Sequence, residues 1–132
     1  MRYVPPFDVL KTMVTMTAVD GVMRVTASHE NFTKLLRTVI ADIEVNESWY
    51  LGRYEDVTLA VRNGTVESAK AHFVHDGYFE GRLPFPIKVD ERWYLSTYLD
   101  VAEHVRKATF PSGQAHFDAE GYREGRLPFK LV

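Results

Sequence analysis

Cysteine is absent from the chain, which excludes disulfides, a cysteine-based zinc site and a thiol nucleophile. Long hydrophobic runs are absent too: nowhere do about 18 apolar residues follow one another, so no membrane span is expected. The amino terminus, Met1-Arg2-Tyr3-Val4-Pro5-Pro6-Phe7-Asp8, lacks the apolar stretch of a signal peptide, and a soluble, cytoplasmic protein is the expectation. Positive charge is not in excess, 16 Lys and Arg standing against 18 Asp and Glu for a formal net charge of −2. Nucleic-acid binders draw affinity from a basic surface that neutralises phosphates, so nucleic acid is not an expected partner. Apolar material, by contrast, is ample. The 132 residues are 45% hydrophobic and 13% aromatic, enough for the core of one ordinary domain.

Both tryptophans fall in a tandem duplication. Residues 45–88 align with 89–132 without a gap, and 23 of the 44 positions are identical. The shared frame is V-x-E-x-W-Y-L-x-x-Y-x-D-V, then V-R, then H-F-x-x-x-G-Y-x-E-G-R-L-P-F. Chance does not give such a match at a constant offset, and repeats of this length signal stacked supersecondary units.

The unit reads as short helices joined by tight turns. Asn46 and Asp90 are placed to cap a first helix bearing Trp49-Tyr50-Leu51 and Trp93-Tyr94-Leu95. Asp56 and Asp100 read as N-caps of a second helix over 57–63 and 101–107, which Gly64 ends in the left-handed conformation that suits glycine. The second copy has Ala108 there, so that turn is expected to differ. Ser68 and Ser112 read as caps of a third helix carrying His72-Phe73 and His116-Phe117, ended by Gly77 and Gly121 in the same left-handed manner.

Residues 1–44 lie outside the repeat. β-Branched residues flank Asp20-Gly21, the strongest short-range signal for a hairpin with a type I′ turn. A helix from about Glu30 to Ile43 follows Ser28, with Phe32, Leu35, Leu36, Val39, Ile40 and Ile43 on one apolar stripe. A two-stranded hairpin is marginal in water. The helix is expected to cover it, and the stretch 3–10 or a second subunit to pair with its edge. The expected fold is therefore α+β and mostly α: a hairpin and helix over 1–44 acting as an oligomerisation or capping segment, then helical repeats at 45–88 and 89–132.

The frame W-Y-L-x-x-Y-x-D-V…H-F-x-x-x-G-x-x-E-G-R-x-P resembles a small bacterial helical repeat. It looks like the accessory repeat that flanks some envelope-polysaccharide glycosyltransferases and recurs in some secreted calcium-repeat proteins. The likeness covers 45–132 and not 1–44. Family members often have Pro before the aspartate, where this chain has Glu55 and Leu99, implying a looser helix corner. The resemblance implies a non-catalytic accessory role and a polysaccharide context, and it names no ligand.

No catalytic residue and no cofactor are expected. His72 and His116 recur at equivalent places, but nothing nucleophilic recurs beside them, and they read as structural anchors of the repeat along with Trp49, Trp93, Asp56 and Asp100. His72, His75 and Asp76 stand at i, i+3 and i+4, a spacing that would put three metal ligands on one helical face. The second copy has His116, Ala119 and Glu120 instead, so no metal is assigned. Arg82 and Arg126 either clamp Asp56 and Asp100 of their own unit, the favoured reading, or reach outward to a partner carboxylate or acidic sugar. The tryptophans are expected in the core, and Tyr50 and Tyr94 to point outward. Tyr50, Tyr94, Arg82, Arg126 and Phe129 make up the candidate partner or ligand surface.

Two units are fewer than the three or so that a free-standing array normally needs, so the ends require cover. The expectation is a homo-oligomeric, non-catalytic assembly module that presents duplicated surfaces to a protein partner. The alternative is a carbohydrate-binding accessory protein of envelope polysaccharide synthesis, with a polysaccharide or a glycosyltransferase as partner.

Overall fold

The computed structural model describes residues 3–132. The chain falls into two compact units, one running to Pro84 and the other from Phe85 to Val132. One β-hairpin and a larger set of helices make the fold α+β and mostly α. Among the described residues no helix is long and apolar enough to cross a membrane.

In the first unit, β1 (Thr15–Val19) pairs antiparallel with β2 (Val22–Thr26), Val19 facing Val22 across the turn. Asp20 and Gly21 take φ of 50° and 75°, the pair of positive values that a type I′ turn requires. The stretch expected to pair with the hairpin edge does not do so. Its prolines offer no N–H to a ladder, and the chain instead forms α1 (Phe7–Leu10), which runs into a 3₁₀ turn at Lys11–Met13.

The helix α2 spans His29–Ile40, and Ser28 Oγ caps it by accepting from the Asn31 N–H at 3.0 Å. Its expected role as cover for the hairpin is not met: every residue of both strands is exposed. The helix is anchored to the first repeat instead. Arg37 donates through Nε and Nη2 to the His75 carbonyl at 3.2 and 2.9 Å and lies over the Phe79 ring, while Ile43 and Val45 pack on the repeat's core. The boundary between compact units thus falls at Pro84, and residues 3–44 share a unit with the first repeat.

The first repeat contains α3 (Glu47–Arg53), α4 (Glu55–Arg62) and α5 (Ala69–His72), the last widening into a π turn at Phe73–Gly77. The second contains α6 (Glu91–Thr97), α7 (Leu99–Arg106) and α8 (Gly113–His116), with a π turn at Phe117–Gly121. Asn46 and Asp90 accept from the N–H of Trp49 and Trp93, and Ser68 and Ser112 from that of Ala71 and Ala115, as expected of caps.

Asp56 and Asp100 are not caps. The chain passes from α3 into α4 through one corner residue, Tyr54, whose carbonyl already accepts from Val57 and Thr58; Tyr98 does the same, and each aspartate lies inside its helix. The turns at Gly64 and Ala108 do not differ. Ala108 adopts the left-handed φ of 62° at a cost of about 1–2 kcal/mol, and Thr109 N–H bonds the His104 carbonyl just as Thr65 bonds Ala60.

Each repeat has its own core: Tyr50, Val57, Ala69 and Phe73 in the first, and Val89, Tyr94, Val101 and Phe117 in the second. Aromatics supply most of the burial because helices this short have little other surface to hide.

Candidate functional site

The residues assigned to a ligand surface turn out to build the interior of each repeat. Tyr50 and Tyr94 are fully buried rather than outward, and Trp49 and Trp93 are half-buried, set edge-on to Tyr54 and Tyr98. The reason lies in the third helix. Neighbouring helical positions point about 100° apart, and the face of α3 toward α5 belongs to the tyrosine. Tyr50 Oη bonds His72 Nδ1 at 2.9 Å, and Tyr94 Oη bonds His116 Nδ1 at the same distance. Burial raises both phenol pKa values, that of Tyr94 to about 12, so both hydroxyls stay protonated.

Gly77 and Gly121 exist for this contact rather than for a left-handed helix end. A Cβ on Gly77 would lie 2.2 Å from Tyr50 Oη, and one on Gly121 2.3 Å from Tyr94 Oη. The left-handed glycines of the closing turn are Gly81 and Gly125, at φ of 77° and 79°.

Arg82 and Arg126 are likewise turned inward. Arg82 donates from Nη1 and Nη2 to Asp56 Oδ1 and Oδ2 at 2.8 and 2.7 Å, and Arg126 grips Asp100 in the same fork at 2.8 and 2.6 Å. Each guanidinium lies over the corner tyrosine, Tyr54 or Tyr98, whose hydroxyl accepts from the N–H of Leu83 or Leu127. The clamp joins the start of the second helix to the closing turn. The hydrogen bond from Arg126 holds the Asp100 carboxyl at about 2, and Arg82 lowers that of Asp56.

Sequence reasoning also missed Glu47 and Glu91. Glu47 accepts from the free N–H groups of Ala69 and Lys70 at 3.1 and 3.0 Å, and Glu91 from those of Gly113 and Gln114 at 3.0 and 2.6 Å. The glutamate shared by both copies in V-x-E-x-W was the available signal.

The set His72, His75 and Asp76 does not converge. The π turn begins right after His72 and breaks α-helical spacing, His72 Nδ1 is taken by Tyr50, and His75 Nδ1 bonds Asp76 at 2.9 Å. Of the expected partner surface, Phe129 alone is exposed.

Exposed apolar surface gathers elsewhere, in the amino-terminal segment. Side chains alternate along strands, and the pairing Met16–Val25 and Ala18–Met23 puts these four on one hairpin face, opposite a face rich in threonine. Met23 and Val25 are 60% and 58% exposed. Met16 and Val25, together with Phe7, Leu10, Val14 and Phe32, line an open apolar groove of about 640 Å³.

In comparisons with known proteins the chain matches no family model, no curated protein and no solved structure.

Proposed function

We propose that the chain is a non-catalytic assembly module that self-associates through its hairpin and displays its duplicated helical repeats to a protein partner. The observation that carries this reading is the uncovered apolar hairpin face. An unsupported two-stranded ribbon is marginal in water, and native edges are ordinarily protected by charge or proline. Here β1 has neither, and β2 has only Arg24. A second copy is the fitting occupant, because one apolar face set against the same face of a second chain about a two-fold axis is self-complementary. The near absence of charge on the hairpin removes the means of steering an oppositely charged partner onto it.

Self-association then has a functional consequence. Each copy brings two related repeat surfaces, and an oligomer multiplies a weak site without any new contact. The carbohydrate-binding reading loses its support, since Tyr50, Tyr94, Arg82 and Arg126 are spent on internal bonds.

Light scattering coupled to size exclusion tests the proposal. At high micromolar concentration the chain is expected at a multiple of 15.2 kDa. The double variant Met23→Glu, Val25→Glu is expected at the monomer mass with an unchanged circular dichroism spectrum. A wild-type chain that stays monomeric at that concentration overturns the reading.

A further inference from the structure

His116 closes α8, Glu120 follows in the π turn, and Glu124 lies on the closing turn beyond it. The His116 side chain is only 4% exposed, and its Nδ1 is engaged by Tyr94 Oη. With Nδ1 carrying the proton and donating to Tyr94 Oη, that bond fixes the ring plane and leaves the Nε2 lone pair for a metal ion, the arrangement that orients metal-bound histidines. Nε2 points at Glu124 Oε1, 3.3 Å away, and Glu120 Oε2, 3.9 Å away. Both distances exceed the roughly 2.7–3.2 Å of an ordinary N–H···O bond.

The spacing suits a shared cation better. Metal–ligand bonds of about 2.0–2.1 Å in a tetrahedron put ligand atoms ~3.3 Å apart. The His116–Glu124 separation already has that value, and the exposed Glu120 needs only to close in by a rotamer adjustment. All three ligand atoms lie within 4.8 Å of one another, a grouping found once among the described residues.

We propose that His116, Glu120 and Glu124 bind one divalent transition-metal ion of the zinc class, with a fourth position left to water. The imidazole nitrogen selects against calcium and magnesium, which take oxygen ligands. The two carboxylates match the ion's charge. Arg126 Nε lies 3.4 Å from the same Glu124 Oε1, so that ion pair shares the oxygen with the metal, while the two Nη atoms stay committed to Asp100.

The first repeat supplies an internal control. Its equivalent residues are His72, Asp76 and Glu80; His72 Nε2 faces Glu80 at 3.5 Å, but the shorter Asp76 is drawn off by His75. One ion per chain is therefore expected.

The test uses the untagged full chain, stripped by chelator and titrated with Co²⁺ and then Zn²⁺. Visible d–d absorption should saturate at one Co²⁺ per chain and be abolished by Zn²⁺. Removing a supporting second-layer group typically weakens metal affinity 10–100-fold, so Glu120→Gln with Glu124→Gln, which removes two ligands, should weaken it by more than about 100-fold. Glu80→Gln should leave it unchanged. Both replaced glutamates are exposed, so the fold is kept, and circular dichroism checks this. No saturable binding, a double variant that binds like wild type, an equal loss in Glu80→Gln, or a preference for Ca²⁺ overturns the assignment.

Discussion

Gly121 carries more of the second repeat's architecture than its lack of a side chain suggests. The Tyr94 hydroxyl occupies the space where a Cβ would go, and it is held there by His116 Nδ1 inside a buried cluster. Gly121→Ala must push the phenol off that bond or spread the π turn. Overpacking and loss of a buried hydrogen bond each cost about 1–3 kcal/mol, and a destabilisation of about 2–4 kcal/mol is expected in urea denaturation. Adding Tyr94→Phe removes the clashing oxygen and should recover part of it; a variant as stable as wild type contradicts the close approach. At this scale the sequence was half legible. Duplication marked Tyr50, Tyr94, Gly77 and Gly121 as fixed points, but periodicity cannot reveal a π turn, which shifts facing by a residue. Gly77 and Gly121 do end these π turns, but without the left-handed φ expected of them. Competition for the third helix is why Tyr50 and Tyr94 lie inside while Trp49 and Trp93 pack half-buried at the margin of each core.

Elements whose signals are local were the readable ones. Asp-Gly set the hairpin turn, and Asn46, Ser68, Asp90 and Ser112 cap the helices they precede, because a turn or a cap depends on a few adjacent atoms. Asp56 and Asp100 look the same in sequence but act across the repeat, where their arginines claim them. The clamp was anticipated from the pairing of residue types, whereas the corner tyrosine beneath each guanidinium was not. Arg126→Ala should remove two charge-assisted bonds and a ring contact and leave Asp100 exposed to water. With the carboxylate 58% exposed, solvent screening limits the loss to about 1–2 kcal/mol. The pH dependence has a definite sign. The folded carboxyl of Asp100 titrates at about 2, below its ordinary value near 3.9. Its contribution is therefore complete above about pH 4 and disappears as pH falls toward 2. The stability gap between wild type and Arg126→Ala, followed by urea midpoints, should narrow across that window; a gap that widens on acidification contradicts the clamp.

For the whole molecule, the duplication located the repeats but not the compact units, since α2 holds to the first repeat and sets the division at Pro84. Nor could the sequence tell that α2 would leave the hairpin bare, because its apolar stripe allows either neighbour. The bare hairpin makes stability a function of concentration under the proposed association. When folding and association are linked, mass action adds about 1.4 kcal/mol per dimer for each tenfold rise in protein. For a dimer of two 132-residue chains, an unfolding entropy of about 2.1 cal/mol/K per residue makes that increment worth about 2–3 °C, so Tm should climb by roughly 2–3 °C per decade of concentration. Met23→Glu with Val25→Glu removes the apolar face and should give a Tm that does not move with concentration. Calorimetry from about 10 to 1,000 μM separates the two cases. A flat wild-type Tm would mean that the exposed face contributes nothing by self-contact, and the hairpin would then need an occupant of different chemistry.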